Sequence, residues 1–177
     1  MIKIIDINFL KKKDAIGCFL IKDNDDIVLI ETGPSIYYDN IKNSLNKINI
    51  DINRIKNVLV THIHLDHSGG AWKFAKNGAN IYVHPKGSPH LISPERLMSS
   101  ATKIYGDDMD RLWGSVKDIS SEQVISVDDK QIIRIGIDSF NQLYKNSRIR
   151  SIDTESYILY KIDEEYQMLM DNLTNLN

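Results

Sequence analysis

The segment Val58-Leu59-Val60-Thr61-His62-Ile63-His64-Leu65-Asp66-His67-Ser68-Gly69-Gly70 leaves this chain few ways to fold. Its apolar start reads as a short buried strand over residues 57–61. Three histidines and an aspartate follow at once. Ser68-Gly69-Gly70 then opens a helix that runs to about residue 76, and Ile81-Tyr82-Val83 reads as the next strand. Strand, polar loop, helix and strand in that order argue an α/β layered domain.

The flanks extend the pattern. β-Branched runs at 2–9, 15–21 and 27–31 read as strands split by polar turns, one of them Lys22-Asp23-Asn24-Asp25-Asp26. Ser35 is placed as the N-cap of a helix to about residue 47, with Tyr37, Ile41, Leu45 and Ile48 on its apolar face. Ser93-Pro94-Glu95 starts another helix. Leu97, Met98, Ala101, Ile104 and Tyr105 follow at helical spacing, and Met109, Leu112, Trp113 and Val116 continue after a break at Gly106. These side chains are expected to pack on the core; the alternative is a lid over a substrate pocket. Residues 124–127 and 131–137 read as a hairpin around Asp128-Asp129.

Composition narrows the function. A chain of 177 residues suffices for one domain spanning 1–177. A net charge of −2 gives no electrostatic case for nucleic acid or anionic membrane, and Lys11-Lys12-Lys13 reads as a solvated turn. The single cysteine, Cys18, makes no internal disulfide and reads as core filler. No apolar run suits a membrane span, and the first residues alternate like a strand rather than a signal peptide. A cytoplasmic protein is expected.

The chemistry lies in the histidine motif. His62 and His64 are two apart, so on an extended segment both point to one side and grip one ion. Asp66 and His67, past a tight turn, grip a second. Zinc takes such ligands at about 2.0–2.2 Å. Two ions roughly 3.5–4 Å apart share a water and lower its pKa toward neutrality, which gives a hydroxide nucleophile. The four-residue pattern arises by chance in roughly one chain in ten thousand of this length. The plain alternative is a histidine-rich surface loop.

The motif and its flanks closely resemble the signature of the metallo-β-lactamase superfamily. Leu29-Ile30-Glu31-Thr32-Gly33-Pro34 looks like the family's strand and Asp-x-Gly turn, with Glu31 where aspartate is usual. Val83-His84-Pro85-Lys86-Gly87 through Trp113-Gly114 resembles a hydrolase-like branch with a helical insertion. The resemblance covers about residues 1–140. It implies a four-layered αββα sandwich with the metals at one edge of two packed sheets. His62 and His64 then serve the first metal and Asp66 and His67 the second, with Asp66 also taking a proton during turnover. The expected cofactor is zinc at two sites, although iron and manganese accept the same ligands. The implied activity is hydrolysis of an ester, thioester, lactone or phosphoester of a small-molecule substrate.

The chain also departs from the family. Lys145-Asn146-Ser147-Arg148 stands where a Thr-Pro-Gly-His turn is expected, and no histidine follows His90. Asp171 matches the bridging aspartate in placement, but Met170 rather than glycine precedes it. His84 and His90 read as surface or packing residues. The sandwich is therefore expected to be incomplete in a truncated C-terminal half. Two further readings follow: an impaired remnant that binds metal weakly, and a homo-oligomer that completes its core across subunits.

Overall fold

The structure, a computed structural model, describes residues 1–128 together with Gln131 and Ile133. The chain divides into two compact units, Met1–Asp128 and Asp129–Asn177, and the fold described is that of the first. The expectation of a single domain over 1–177 reaches beyond the described residues, as does Asp171.

Six strands form one sheet in sequence order. β1 (Ile2–Asp6), β2 (Gly17–Asp23) and β3 (Asp26–Ile30) make an antiparallel meander. β4 (Asn57–Leu59), β5 (Asn80–Val83) and β6 (Val124–Ser126) extend it in parallel. Each parallel step needs a long crossover, and helices supply it. α1 (Tyr38–Asn46) joins β3 to β4. The short α2 (Leu65–Ser68) and then α3 (Ala71–Lys76) join β4 to β5. α4 (Ser88–Ile92), α5 (Glu95–Tyr105) and α6 (Met109–Leu112) join β5 to β6. The mixed α/β class expected from the sequence is the one observed.

Several boundaries move for local reasons. β1 stops at Asp6, short of the expected residue 9, because the Asp6 carboxylate accepts the backbone N–H groups of Asn8 (2.8 Å) and Asp14 (3.2 Å) and pulls the chain into a loop. Ser35 does not cap a helix. It starts a 3-10 turn, Ser35–Tyr37, and its Oγ donates instead to the Trp113 carbonyl at 3.0 Å. The helix expected from Ser68-Gly69-Gly70 is two pieces, because the motif residues themselves form the turn of α2. β6 pairs in parallel with β5; residues 134–137 of its expected hairpin partner lie outside the described residues.

The two faces of the sheet differ. Cys18, Leu20, Ile27, Leu29, Val58, Ile81 and Val83 are buried on one face, and they share a core with Ile41 and Leu45 of α1 and Phe74 of α3. The register aligns Ile4, Phe19, Ile30, Leu59, Tyr82 and Ile125 on the other face. That face is apolar as well, but all except Ile30 are only half-buried. Apolar residues on both faces suit a sheet packed on two sides.

The helical insertion forms a smaller cluster. Ala101, Met109 and Trp113 are buried against Leu65 of the motif, with Phe9, Leu97, Met98, Leu112 and Val116 around them. Ile104 departs from the expected packing and is 75% exposed. α5 and α6 therefore rest on the histidine motif, whereas Leu91 of α4 joins the main core.

Candidate metal centre

The centre forms where β3 and β4 end side by side. Beyond β4, Val60 N–H still bonds the Tyr82 carbonyl at 3.0 Å, and beyond β3, Glu31 N–H bonds the Leu59 carbonyl at 2.8 Å. The chain then bends at both strand ends. Glu31 takes a left-handed φ of 63°, and Gly33 does so at 61°. Glycine adopts that conformation freely, whereas glutamate is strained in it.

The bent turn grips the motif loop through its backbone. Thr32 N–H and Thr32 Oγ1 both donate to the His67 carbonyl at 2.8 Å. Gly70 N–H donates to the Gly33 carbonyl at 2.8 Å and to Thr32 Oγ1 at 3.1 Å. The approach is too close for side chains at the two motif glycines. A Cβ on Gly69 would lie 2.5 Å from the Leu65 carbonyl oxygen, and one on Gly70 would lie 3.1 Å from that of Thr32. Ser68 Oγ donates back to the Ile63 carbonyl at 2.9 Å and closes the loop.

This frame gathers the predicted ligands. The His62 and His64 rings lie 4.7 Å apart between centroids, and the His62 and His67 rings 4.0 Å apart. Thr61 Oγ1 lies 2.9 Å from His62 Nδ1, so that nitrogen is engaged and Nε2 faces away from the contact. Burial lowers the His62 pKa below its ordinary value, and the neighbouring His67 and His64 lower it further. Its neutral form, the one that binds metals, is thereby favoured.

His67 sits between two carboxylates. Asp66 Oδ2 is 3.2 Å from His67 Nε2, and Glu31 Oε2 is 3.4 Å from His67 Nδ1. Glu31 Oε1 accepts the Thr61 N–H at 3.2 Å. Glu31 is a member of the centre that side-chain motif reading missed. An acidic residue directly after the apolar run of β3 was its signal, because a carboxylate buried there needs partners.

The donor chemistry fits a divalent metal. Two donors held at about 2.1 Å by one tetrahedral zinc lie about 3.4 Å apart, close to the Asp66–His67 spacing. Glu31 Oε2 and His67 Nδ1 are buried without a hydrogen-bond partner, so the centre holds unspent polar capacity. Among the described residues, no three His, Cys, Asp or Glu side chains converge on a single ion position. His84 does not join the cluster as a third ligand; its Nδ1 accepts the Lys86 N–H at 3.1 Å. Asp171 lies outside the described residues.

The chain is thus a mixed α/β protein that carries His-x-His-x-Asp-His just past the end of β4, locked to the turn that ends β3. The Metallo-beta-lactamase superfamily profile matches residues 14–145, and the chain belongs to that superfamily. Among solved structures it is similar to BJP-1, a subclass B3 metallo-beta-lactamase of Bradyrhizobium japonicum, at 22% identity and a TM-score of 0.56 over 76% of this chain and 45% of that one. It is similar to MEM-A1, a subclass B3 enzyme isolated from a soil metagenome library, at 18% identity and a TM-score of 0.59 over 76% and 46%. It is similar also to FEZ-1 from Legionella gormanii, at 16% identity and a TM-score of 0.54 over 75% and 45%. The match thus spans under half the length of each of these structures. No curated protein sequence matches the chain. The fold family implies a divalent metal, typically zinc. Among the described residues no helix is long and apolar enough to cross a membrane.

Proposed function

We propose that the chain is a metal-dependent hydrolase that opens an ester, thioester, lactone or phosphoester bond of a small molecule. The observation that carries this reading is that His62, His64, Asp66 and His67 share one strand-end loop and lie in pairwise contact, His62 with His64 and His67, and His67 with Asp66. His62 and His64 would hold one ion, and Asp66 and His67 a second. Bound zinc supplies an activated water and a Lewis acid at neutral pH. Thr61 holds the His62 ring through Nδ1. The Asp66 carboxylate, 3.2 Å from His67 Nε2, would be the group to take up a proton at this centre.

A second reading has its own observation. Because no three side chains among the described residues share an ion position, the centre would bind metal weakly and turn over slowly. Catalytic zinc ordinarily keeps three protein ligands. Elemental analysis of the full chain purified without added metal separates the two. Near two equivalents per chain, with ester or phosphodiester hydrolysis that His62→Ala abolishes, supports the hydrolase. Near zero, with no hydrolysis after zinc is added back, refutes it in favour of the second reading.

A further inference from the structure

We propose that Asn77-Gly78 is a deamidation site gated by the fold, closed while the C-terminal turn of α3 is intact and open when that turn unwinds. It is the one Asn-Gly pair in the chain. In the reaction the Gly78 backbone nitrogen attacks the side-chain carbonyl carbon of Asn77. The new C–N bond closes a five-membered imide. The side-chain amide leaves as ammonia, with the proton that the attacking nitrogen gives up. Water then opens the ring at either carbonyl. One opening yields aspartate; the other yields isoaspartate, with the main chain rerouted through the side chain. Glycine suits the second position because it has no Cβ to crowd the attacking nitrogen.

The turn holds both reacting groups off that path. Asn77 ends α3 with φ −88° and ψ 11°, and Gly78 follows in the left-handed region at φ 82°. Gly78 N–H donates to the Ala75 carbonyl at 2.8 Å, and Ala79 N–H donates to the Phe74 carbonyl at 3.1 Å. These are the paired bonds that close a helix through a left-handed glycine. Imide formation needs Gly78 N beside the Asn77 Cβ. At the observed ψ it is eclipsed with the Asn77 nitrogen instead, so the Cα–C bond must rotate and both turn bonds must break. The leaving amide is held as well. Asn77 Nδ2 donates to the Tyr38 hydroxyl on α1, whose ring packs edge-on against Phe74 at 5.0 Å between centroids.

Two side chains from other elements tie the same turn down. Gln123 Nε2 donates to the Ala75 carbonyl at 2.7 Å and to the Ala79 carbonyl at 3.0 Å. Lys56 Nζ donates to the Asn77 carbonyl at 3.0 Å. The two products differ in consequence. Aspartate keeps the backbone, and its charge falls near Lys56 and near Lys73, whose Nζ lies 5.4 Å from the Tyr38 ring centroid. Isoaspartate adds a methylene to the main chain, so the bonds to Phe74 and Ala75 cannot both re-form. Phe74 is buried in the main core, and α3 starts directly after Gly70. Isoaspartate at 77 is therefore a one-way mark on chains that have opened there.

Peptide mass spectrometry on the full chain without added metal, held in mildly alkaline buffer with and without urea, follows the exchange of NH2 for OH at Asn77. The native rate should be at least about 100-fold below the rate in urea, the ratio set by local opening of a well-bonded turn. Tyr38→Phe removes the acceptor of the Asn77 amide and should raise the native rate about fivefold. Gln123→Met removes two bonds and should raise it about tenfold. Neither variant should change the rate in urea. A native rate within about threefold of the rate in urea means that there is no gate and overturns the proposal. An Asn77 that survives in urea overturns it too, as do native rates in both variants equal to the parent's. The comparison on the parent decides if neither variant folds. Neither metal nor turnover enters the measurement, so its outcome is independent of the hydrolase reading.

Discussion

Thr32→Val tests whether the turn after β3 holds the metal loop by its side chain or by its backbone. Thr32 is fully buried, and valine matches its shape while removing the hydroxyl. That hydroxyl donates to the His67 carbonyl at 2.8 Å and accepts from Gly70 N–H at 3.1 Å. Neither partner is orphaned by its loss. The His67 carbonyl keeps the Thr32 N–H at 2.8 Å, and Gly70 N–H keeps the Gly33 carbonyl at 2.8 Å. The cost should therefore be that of one net hydrogen bond, about 1–1.5 kcal/mol, and not the larger sum for two stranded polar groups. With a urea slope of about 2 kcal/mol/M, the unfolding midpoint should drop by about 0.5–0.75 M. Far-UV circular dichroism and tryptophan fluorescence should report the same midpoint. Zinc affinity should fall less than about tenfold, because the His67 ring keeps its contact with Glu31. A midpoint within about 0.2 M of the parent would show that the hydroxyl is no part of the grip, and a drop beyond about 1.5 M would show that the backbone bonds do not back it up.

Three more outcomes follow from other parts of the structure. Gly114 has a φ of 69°, and a Cβ there would lie 2.3 Å from Ile36 Cγ2 and 2.6 Å from Ser35 Oγ, so Gly114→Ala should destabilise by about 1–3 kcal/mol in urea unfolding. Loss of the Ser35 bonds to the Trp113 carbonyl should appear as a change in Trp113 fluorescence before global unfolding, and an unaltered spectrum and midpoint would contradict the clash. Cys18 is fully buried, and burial, helped by the Glu31 charge, pushes its thiol far above the ordinary range. It should stay unreactive to a disulfide reagent in the native protein and react fully in denaturant, which a thiol titration measures. The His62 pKa is lowered in the fold by burial and by His67 and His64, so the unfolded chain takes up that proton first as the pH falls below the ordinary imidazole value. This contribution to stability of the metal-free protein is present above about pH 6.5 and is lost as the pH falls through the folded-state pKa. His62→Gln should flatten that part of the urea-midpoint profile, and an unchanged slope would remove His62 as the cause.

The part of this protein that periodicity controls was legible from residues alone. The apolar runs of β2, β3 and β5 depend on neighbours in sequence and appear close to where their pattern puts them, and His62, His64, Asp66 and His67 share the one loop their spacing dictates. What was not legible depends on partners far along the chain. Ser35 has the side chain of a helix cap, but it binds a carbonyl 78 residues away. The insertion helices read as core, yet their apolar side chains gather on Leu65 because the motif turn offers them a buried anchor. Glu31 is the sharpest case. In sequence it marks the strand-end turn by resemblance alone, and only a left-handed backbone aims it at Thr61 and His67. A motif marks the atoms that can bind a metal, because ligand chemistry is local. The groups that surround those atoms are chosen by the tertiary fold, so the contact between Glu31 and His67 follows from where β3 and β4 end together rather than from any spacing between residues 31 and 67.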